Sequence, residues 1–214
     1  MAEPRIVKIL RLGIVSHSEI DEKMRRLQNA RLDEQIDDTL IFVEHPEIVT
    51  IGPKARRENI SIPKSYKTSE VDRGGGITYH GPGQLVVYPI FKWDLEEESN
   101  VKKITSKLEK WAIAALNKID IEANTDERMQ GIWLNDYKVG SVGLSFMRWV
   151  SRHGFTINYA TNPGRVEGLQ GCGLENGLTT SLAALNHPNL TRDDLEGALI
   201  STIQTNLNRI HAKS

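Results

Sequence analysis

Cysteine is nearly missing from this sequence: Cys172 is the one instance in 214 residues. No intramolecular disulfide can form, which fits a reducing compartment, and a cysteine-rich zinc site is excluded. Long apolar runs are missing too. Nothing reaches the ~18 consecutive apolar residues of a membrane span, and charges at Glu3, Arg5 and Lys8 interrupt any signal-peptide core. The expected location is therefore cytoplasmic, with no membrane partner. An excess of one charge is absent as well, with Lys+Arg at 27, Asp+Glu at 28 and a net charge of -1. Affinity for phosphate backbones draws on surplus positive charge, so a nucleic-acid partner is disfavoured. What remains is 39% hydrophobic and 26% charged, close to a soluble globular composition. No repeat or low-complexity linker divides the chain, so one domain over residues 1–214 is expected.

Periodicity predicts a strand over 5–15, then a helix capped by Ser18 with Ile20, Met24, Leu27 and Leu32 on its apolar side. Strands follow over 39–44 and 48–51. Residues 53–68 read as a loop. A short strand near Val71 enters Arg73-Gly74-Gly75-Gly76, and a longer one runs from Leu85 to Phe91. Asn100 to Ile119 is the clearest helix, with Val101, Ile104, Leu108, Trp111, Ala115 and Ile119 on one face. A meander over 131–134, 138–149 and 153–159 precedes an irregular stretch, 161–177. Thr191 and Asp194 resemble a capping box for a last helix reaching about Ile210. Strands and helices intermingle without a regular βαβ period, so the expected class is α+β (α/β), a mixed central sheet flanked by helices.

Three segments carry candidate chemistry. The run from Asp72 to Leu85 packs five glycines into positions 74–83, which lets backbone approach a ligand and present N–H groups to an anion or oxyanion. It lacks the Lys-Ser/Thr ending of a P-loop, and no helix follows closely enough for a dinucleotide fingerprint. Lys138, in Lys-Val-Gly-Ser-Val-Gly143, is either a solvated hairpin lysine or, if buried, a base. Cys172 lies between Gly171 and Gly173, which have no side chains to cover its thiol. It is either a small buried apolar residue or an accessible nucleophile. His45, His80 and His153 each adjoin a turn or a glycine. A metal site or a Cys–His pair is conceivable, but the spacings match no metal motif, and hydrogen-bonded histidines shaping a pocket fit better. His17, His187 and His211 read as surface residues, and Trp111 and Trp133 as core. Arg56-Arg57, Lys102-Lys103 and Arg148/Arg152 read either as solvated surface or as docking sites for an acidic partner.

Taken together, Arg73 to Pro89, Glu44-His45-Pro46, Lys138 to Gly143, His153-Gly154, Gly171-Cys172-Gly173 and Thr179 to Leu182 resemble the octanoyltransferases of lipoate biosynthesis. The resemblance covers roughly residues 39–182. It implies the fold of biotin and lipoate ligases and of class II aminoacyl-tRNA synthetases. It also implies octanoyl transfer from an acyl carrier protein to a lysine on a lipoyl domain, in 2-oxoacid dehydrogenase complexes or the glycine cleavage H protein. By this carry-over Cys172 is the nucleophile and Lys138 activates it. Substrate binding falls to Arg73, Gly74, Gly75, Gly76, Ile77, Thr78, Tyr79 and His80, to Ser141, Val142 and Gly143, and to His153, Gly154, Phe155 and Thr156. No cofactor and no metal are implied. Three positions depart from the pattern. Gly76 makes the loop resemble that of ATP-using ligases, Gly171 replaces a proline, and Phe155-Thr156 replaces Leu-Ala.

Overall fold

The computed structural model describes residues 3–58, 60–98, 100–169 and 177–211. Side-chain alternation along two central strands sets the layers. In β2 (Asp38–Glu44), Leu40 and Phe42 face one side and Ile41 and Val43 the other. In β6 (Gln84–Ile90), Leu85 and Val87 oppose Val86, Tyr88 and Ile90. Strands apolar on both faces must be covered on both. On the first face lie α3 (Val101–Asn117) and α4 (Arg192–Leu207), which bury Leu108, Trp111, Ala112, Leu199 and Ile203 against the sheet. On the second face lies α1 (His17–Leu32), contributing Ile20 and Met24.

The sheet runs, in spatial order, β11 (Arg209–His211), β1 (Arg5–Ile14), β2, β6, β10 (Val150–Asn158) and β9 (Val142–Met147). β1 is parallel to both its neighbours, and the pairs from β2 to β9 are antiparallel, so the sheet is mixed as expected. A smaller sheet orders β4 (Thr68–Glu70), β3 (Ile48–Ile51) and β5 (Ile77–His80), and β7 (Ile132–Leu134) pairs with β8 (Tyr137–Gly140). At the edge of the large sheet Arg209 is fully buried. It bonds Asp38 at 3.2 Å and Glu98 at 2.7 Å, with its guanidinium 4.8 Å from the Trp93 ring centre. Among the described residues no helix is long and apolar enough to cross a membrane.

Several local expectations change. α1 is capped by Ser16, whose Oγ accepts from the Glu19 N–H at 3.3 Å, because His17 is already helical and turned inward. Pro53 at the first helical position, where its missing N–H costs nothing, starts a short helix, α2 (Pro53–Arg57), inside the expected loop. The run expected over 138–149 is broken at Ser141, whose N–H donates to the Thr156 hydroxyl, so β8 and β9 join different sheets. The last helix stops at Leu207, where Asn208 turns left-handed (φ 52°), and the chain then pairs with β1. The Thr191–Asp194 capping box forms as expected.

Candidate active site

The glycine run is a turn between the two sheets. The Gly74 N–H donates to the Leu144 carbonyl of β9 at 2.8 Å, and the Gly52 N–H donates to the Gly76 carbonyl at 2.8 Å. Beside this turn opens a cleft of about 930 Å³, its mouth included. Residues 73–79, Lys138, Ser141, Val142 and Thr156 line it. A second, narrower recess is bounded by His80, Gly143 and residues 153–156, and shares Arg73, Thr78, Ser141, Val142 and Thr156 with the cleft. Every described residue expected to bind substrate therefore borders the cleft or the recess beside it. Lys54, Arg73 and Lys138 bring three positive charges to the cleft, and no carboxylate is among its described lining residues.

A line of buried polar groups holds the recess. Arg73 Nη2 donates to the Thr50 hydroxyl at 2.9 Å. That hydroxyl lies 3.3 Å from His80 Nε2, and His80 Nδ1 lies 2.8 Å from Gln84 Oε1. The Gln84 amide nitrogen donates to the Tyr79 carbonyl and to Asn158 Oδ1, both at 2.8 Å, and Asn158 donates to the Thr180 carbonyl at 3.0 Å. Since both Gln84 donors are committed, its oxygen must accept, so His80 carries its proton on Nδ1 and receives the Thr50 hydroxyl at Nε2. His45 is fixed likewise. Its Nδ1 lies 2.6 Å from the Val15 carbonyl, and its Nε2 lies 3.0 Å from the Tyr88 hydroxyl. Burial pushes His17 and His45 down to about 4 and holds His80 well below the usual imidazole range. These rings are therefore neutral near pH 7, and His17 and His80 border the recess. Among the described residues no group of three or more His, Cys, Asp or Glu is arranged to hold a metal.

Two surface assignments are corrected here. His17 is buried, with its ring 5.4 Å from that of His45 and 5.8 Å from that of His80. Arg152 is also buried and bonds Gln28, Asp21 and Asp72. His153 follows it in β10, and successive strand residues face opposite sides. Yet His153 Nε2 reaches the same Asp72, at 3.0 Å. Its φ of 60° makes this possible by turning the side chain from the α3 face to the α1 face. The neighbouring Gly154 is required by close approach, since a Cβ there would lie 2.0 Å from the Val87 carbonyl oxygen. Asp72 thereby anchors the start of the glycine turn, and the bond from His153 holds its carboxyl well below the usual range. Phe155 keeps the regular orientation and meets Trp111 edge-on at 5.5 Å in the core.

Lys138 is buried on β8, and its ammonium donates to Met129 Sδ at 3.1 Å. Its backbone is paired on the other side with the chain beyond the proposed nucleophile. The Lys138 N–H donates to the Leu178 carbonyl at 2.8 Å, and the Thr180 N–H donates to the Lys138 carbonyl at 3.0 Å. Cys172 itself lies outside the described residues. Leu169 before it and Thr179 after it both line the cleft. The approach to it is clamped by Arg165, which forks onto Glu47 and stacks 3.9 Å over Tyr66. Sequence reading missed Lys54, Gln84, Met129, Gln130, Asn158 and Thr179 as lining residues. Gln84 stood inside the glycine motif and Thr179 inside the Thr179 to Leu182 motif, whereas the others carry no local signal.

A family model described as the lipoyl protein ligase A/B catalytic domain matches residues 22–204. An octanoyltransferase of Caldicellulosiruptor bescii is 33% identical across 97% of this chain and 92% of its own length. One from Cereibacter sphaeroides is 31% identical across 89% and 92%. The chain belongs to the octanoyltransferases of the lipoyl protein ligase A/B family. Members of this family are enzymes, and this one has their fold. A lipoate-protein ligase A solved with ATP superposes with a TM-score of 0.70 at 13% identity, covering 100% of this chain and 89% of its own. A biotin protein ligase from Aquifex aeolicus gives 0.55 at 15%, covering 94% and 68%. The chain thus shares its fold with these ligases.

Proposed function

We propose that the protein moves an octanoyl group from the thioester of an acyl carrier protein to a lysine of a lipoyl domain, through a thioester on Cys172. The observation that carries this reading is the framing of one cleft by buried Lys138 and by both flanks of the Cys172 segment, Leu169 and Thr179. Lys138, in its neutral amine form, takes the thiol proton at Nζ. The thiolate attacks the carbonyl carbon of the donor thioester, and the C=O electron pair moves onto oxygen, where cations and backbone N–H groups stabilise it. Collapse expels the carrier thiolate, which takes the proton back from Lys138. The neutral amine of the acceptor lysine then attacks the acyl-enzyme. An amide forms, the Cys172 thiolate leaves, and the amine's extra proton passes through the neutral Lys138 amine to that thiolate. Thioester exchange followed by amide formation is downhill, so the step needs neither ATP nor metal.

Two relatives named octanoyltransferase support the acyl group. The lipoyl acceptor is supported by a structural neighbour, a bipartite lipoate protein ligase of Thermoplasma acidophilum that forms an archaeal lipoylation system with its E2 lipoyl domain. The test is intact mass after mixing the protein with octanoyl–acyl carrier protein and no ATP. One octanoyl adduct on wild type, removed by hydroxylamine, absent from Cys172→Ala and passed on to an added lipoyl domain, is expected. No adduct and no transfer, with activity appearing only on ATP and free octanoate, would overturn the reading in favour of an adenylating ligase.

A further inference from the structure

The segment before β7 is built around the lysine that the proposed reaction uses. Met129 Sδ accepts from Lys138 Nζ at 3.1 Å. The Met129 carbonyl is itself fixed, accepting from Trp133 Nε1 at 2.9 Å, and the Arg128 guanidinium lies 4.6 Å from the Trp133 ring centre. Two residues on, Gly131 has φ 153°. A Cβ there would come within 2.5 Å of Lys138 Cε and 2.5 Å of the Gly140 carbonyl oxygen. From behind, Glu109 of α3 is buried and accepts from Gln130 Nε2 at 3.4 Å. Burial pushes its carboxyl up, while Gln130, the Gly131 N–H and Lys138 oppose the shift. Among the described residues, Glu109 from α3 interacts with the amine electrostatically, and Lys54 from α2 and Arg73 from the glycine turn line the same cleft.

We propose that Met129 is a positioning residue for Lys138: its thioether seats the ammonium on the cleft wall, and Gly131 leaves the lysine stem room to lie there. A thioether is a weak, polarisable acceptor. It orients an N–H without gripping the proton as a carboxylate would, which suits an amine that must accept and release one in each cycle. The catalytic part of this inference rests on the reaction proposed above, while the seating of the amine does not.

The test uses Met129→Leu, which keeps the volume and removes the acceptor, and Met129→Gln, which restores an acceptor oxygen. Lys138 is labelled competitively with trace acetic anhydride at fixed pH and read by peptide mass spectrometry. Release of the seated ammonium is expected to raise Lys138 labelling about five-fold in Met129→Leu, the scale of one weak hydrogen bond, and to leave it near wild type in Met129→Gln. Equal labelling in all three proteins overturns the proposal. In the octanoyl assay Met129→Leu is expected to lower kcat about five-fold with KM for the donor unchanged, and to cause no further loss in a Lys138→Ala background. The same loss in both backgrounds also overturns it, since Met129 would then act elsewhere. Altered labelling alongside no octanoyl transfer by wild type would refute the proposed reaction and leave the seating intact.

Discussion

Acid should unfold this protein through its histidines before its carboxylates. His17 and His45 sit near 4 when folded against an ordinary 6.5, chiefly because burial penalises the charged ring. Between those values the unfolded chain binds protons that the folded protein refuses. The stabilising effect is therefore complete above about 6.5, is lost as pH falls toward about 4, and then levels off. From about pH 7 to about pH 5 the loss is roughly 2 kcal/mol for each ring, or roughly 4 kcal/mol for the two. His80 and His153 shift in the same direction and add to it. Asp72 and Glu47 are held low by His153 and Arg165, so their contribution is lost only at more acid pH. Urea unfolding followed by tryptophan fluorescence measures the slope, since Trp93, Trp111 and Trp133 are all buried. His45→Gln is the control, because its amide can donate to the Val15 carbonyl and accept from the Tyr88 hydroxyl while no longer titrating. Its pH-dependent loss should be smaller than wild type's by roughly 2 kcal/mol. A wild-type change below about 1 kcal/mol over this range, or identical slopes in the two proteins, would refute the reasoning.

Other substitutions test the frame. Gly154→Ala drives a methyl into the Val87 carbonyl, displaces β10 from β6, and should cost at least about 1–3 kcal/mol in thermal unfolding. Trp111→Ala empties the contact with Phe155 and should cost about 3–5 kcal/mol, read as a lowered urea midpoint. Arg209→Met removes one of two cations from each of the buried carboxylates of Asp38 and Glu98, which keep Arg31 and Lys107, and should cost about 1.5–3 kcal/mol.

Where burial repeats at a regular period, the sequence revealed its structure. α3, β2 and β6 could be read because each presents continuous apolar faces to a covered sheet. Elements made by distant pairing could not. β5 is hidden among glycines and exists because β3 lies beside it. Arg209-Ile210-His211 continues a helical pattern, and only pairing with β1 makes it a strand. The site shows the same division. Glycines and Lys138 signal chemistry through residue type and company, whereas the burial of His17 depends on His45, His80 and a backbone reversal at His153, none of which is local to α1.

The polar line from Arg73 to Thr180 has a polarity of its own. It begins at a guanidinium, which can only donate, and ends at a carbonyl, which can only accept. The ring and both amides between them point the same way, as in proton-ordered ice. Neither amide nor the His80 ring can flip alone without setting like against like, whereas the Thr50 hydroxyl can also turn to the Thr78 carbonyl at 3.4 Å. The glycine turn and the strand that holds Lys138 are thus joined by a cooperative, one-directional element, since the Thr180 N–H also bonds the Lys138 carbonyl. Removing a second member after the first should cost little more than removing one, and a ligand that draws on Arg73 would be felt at Lys138 as a change in alignment rather than in shape.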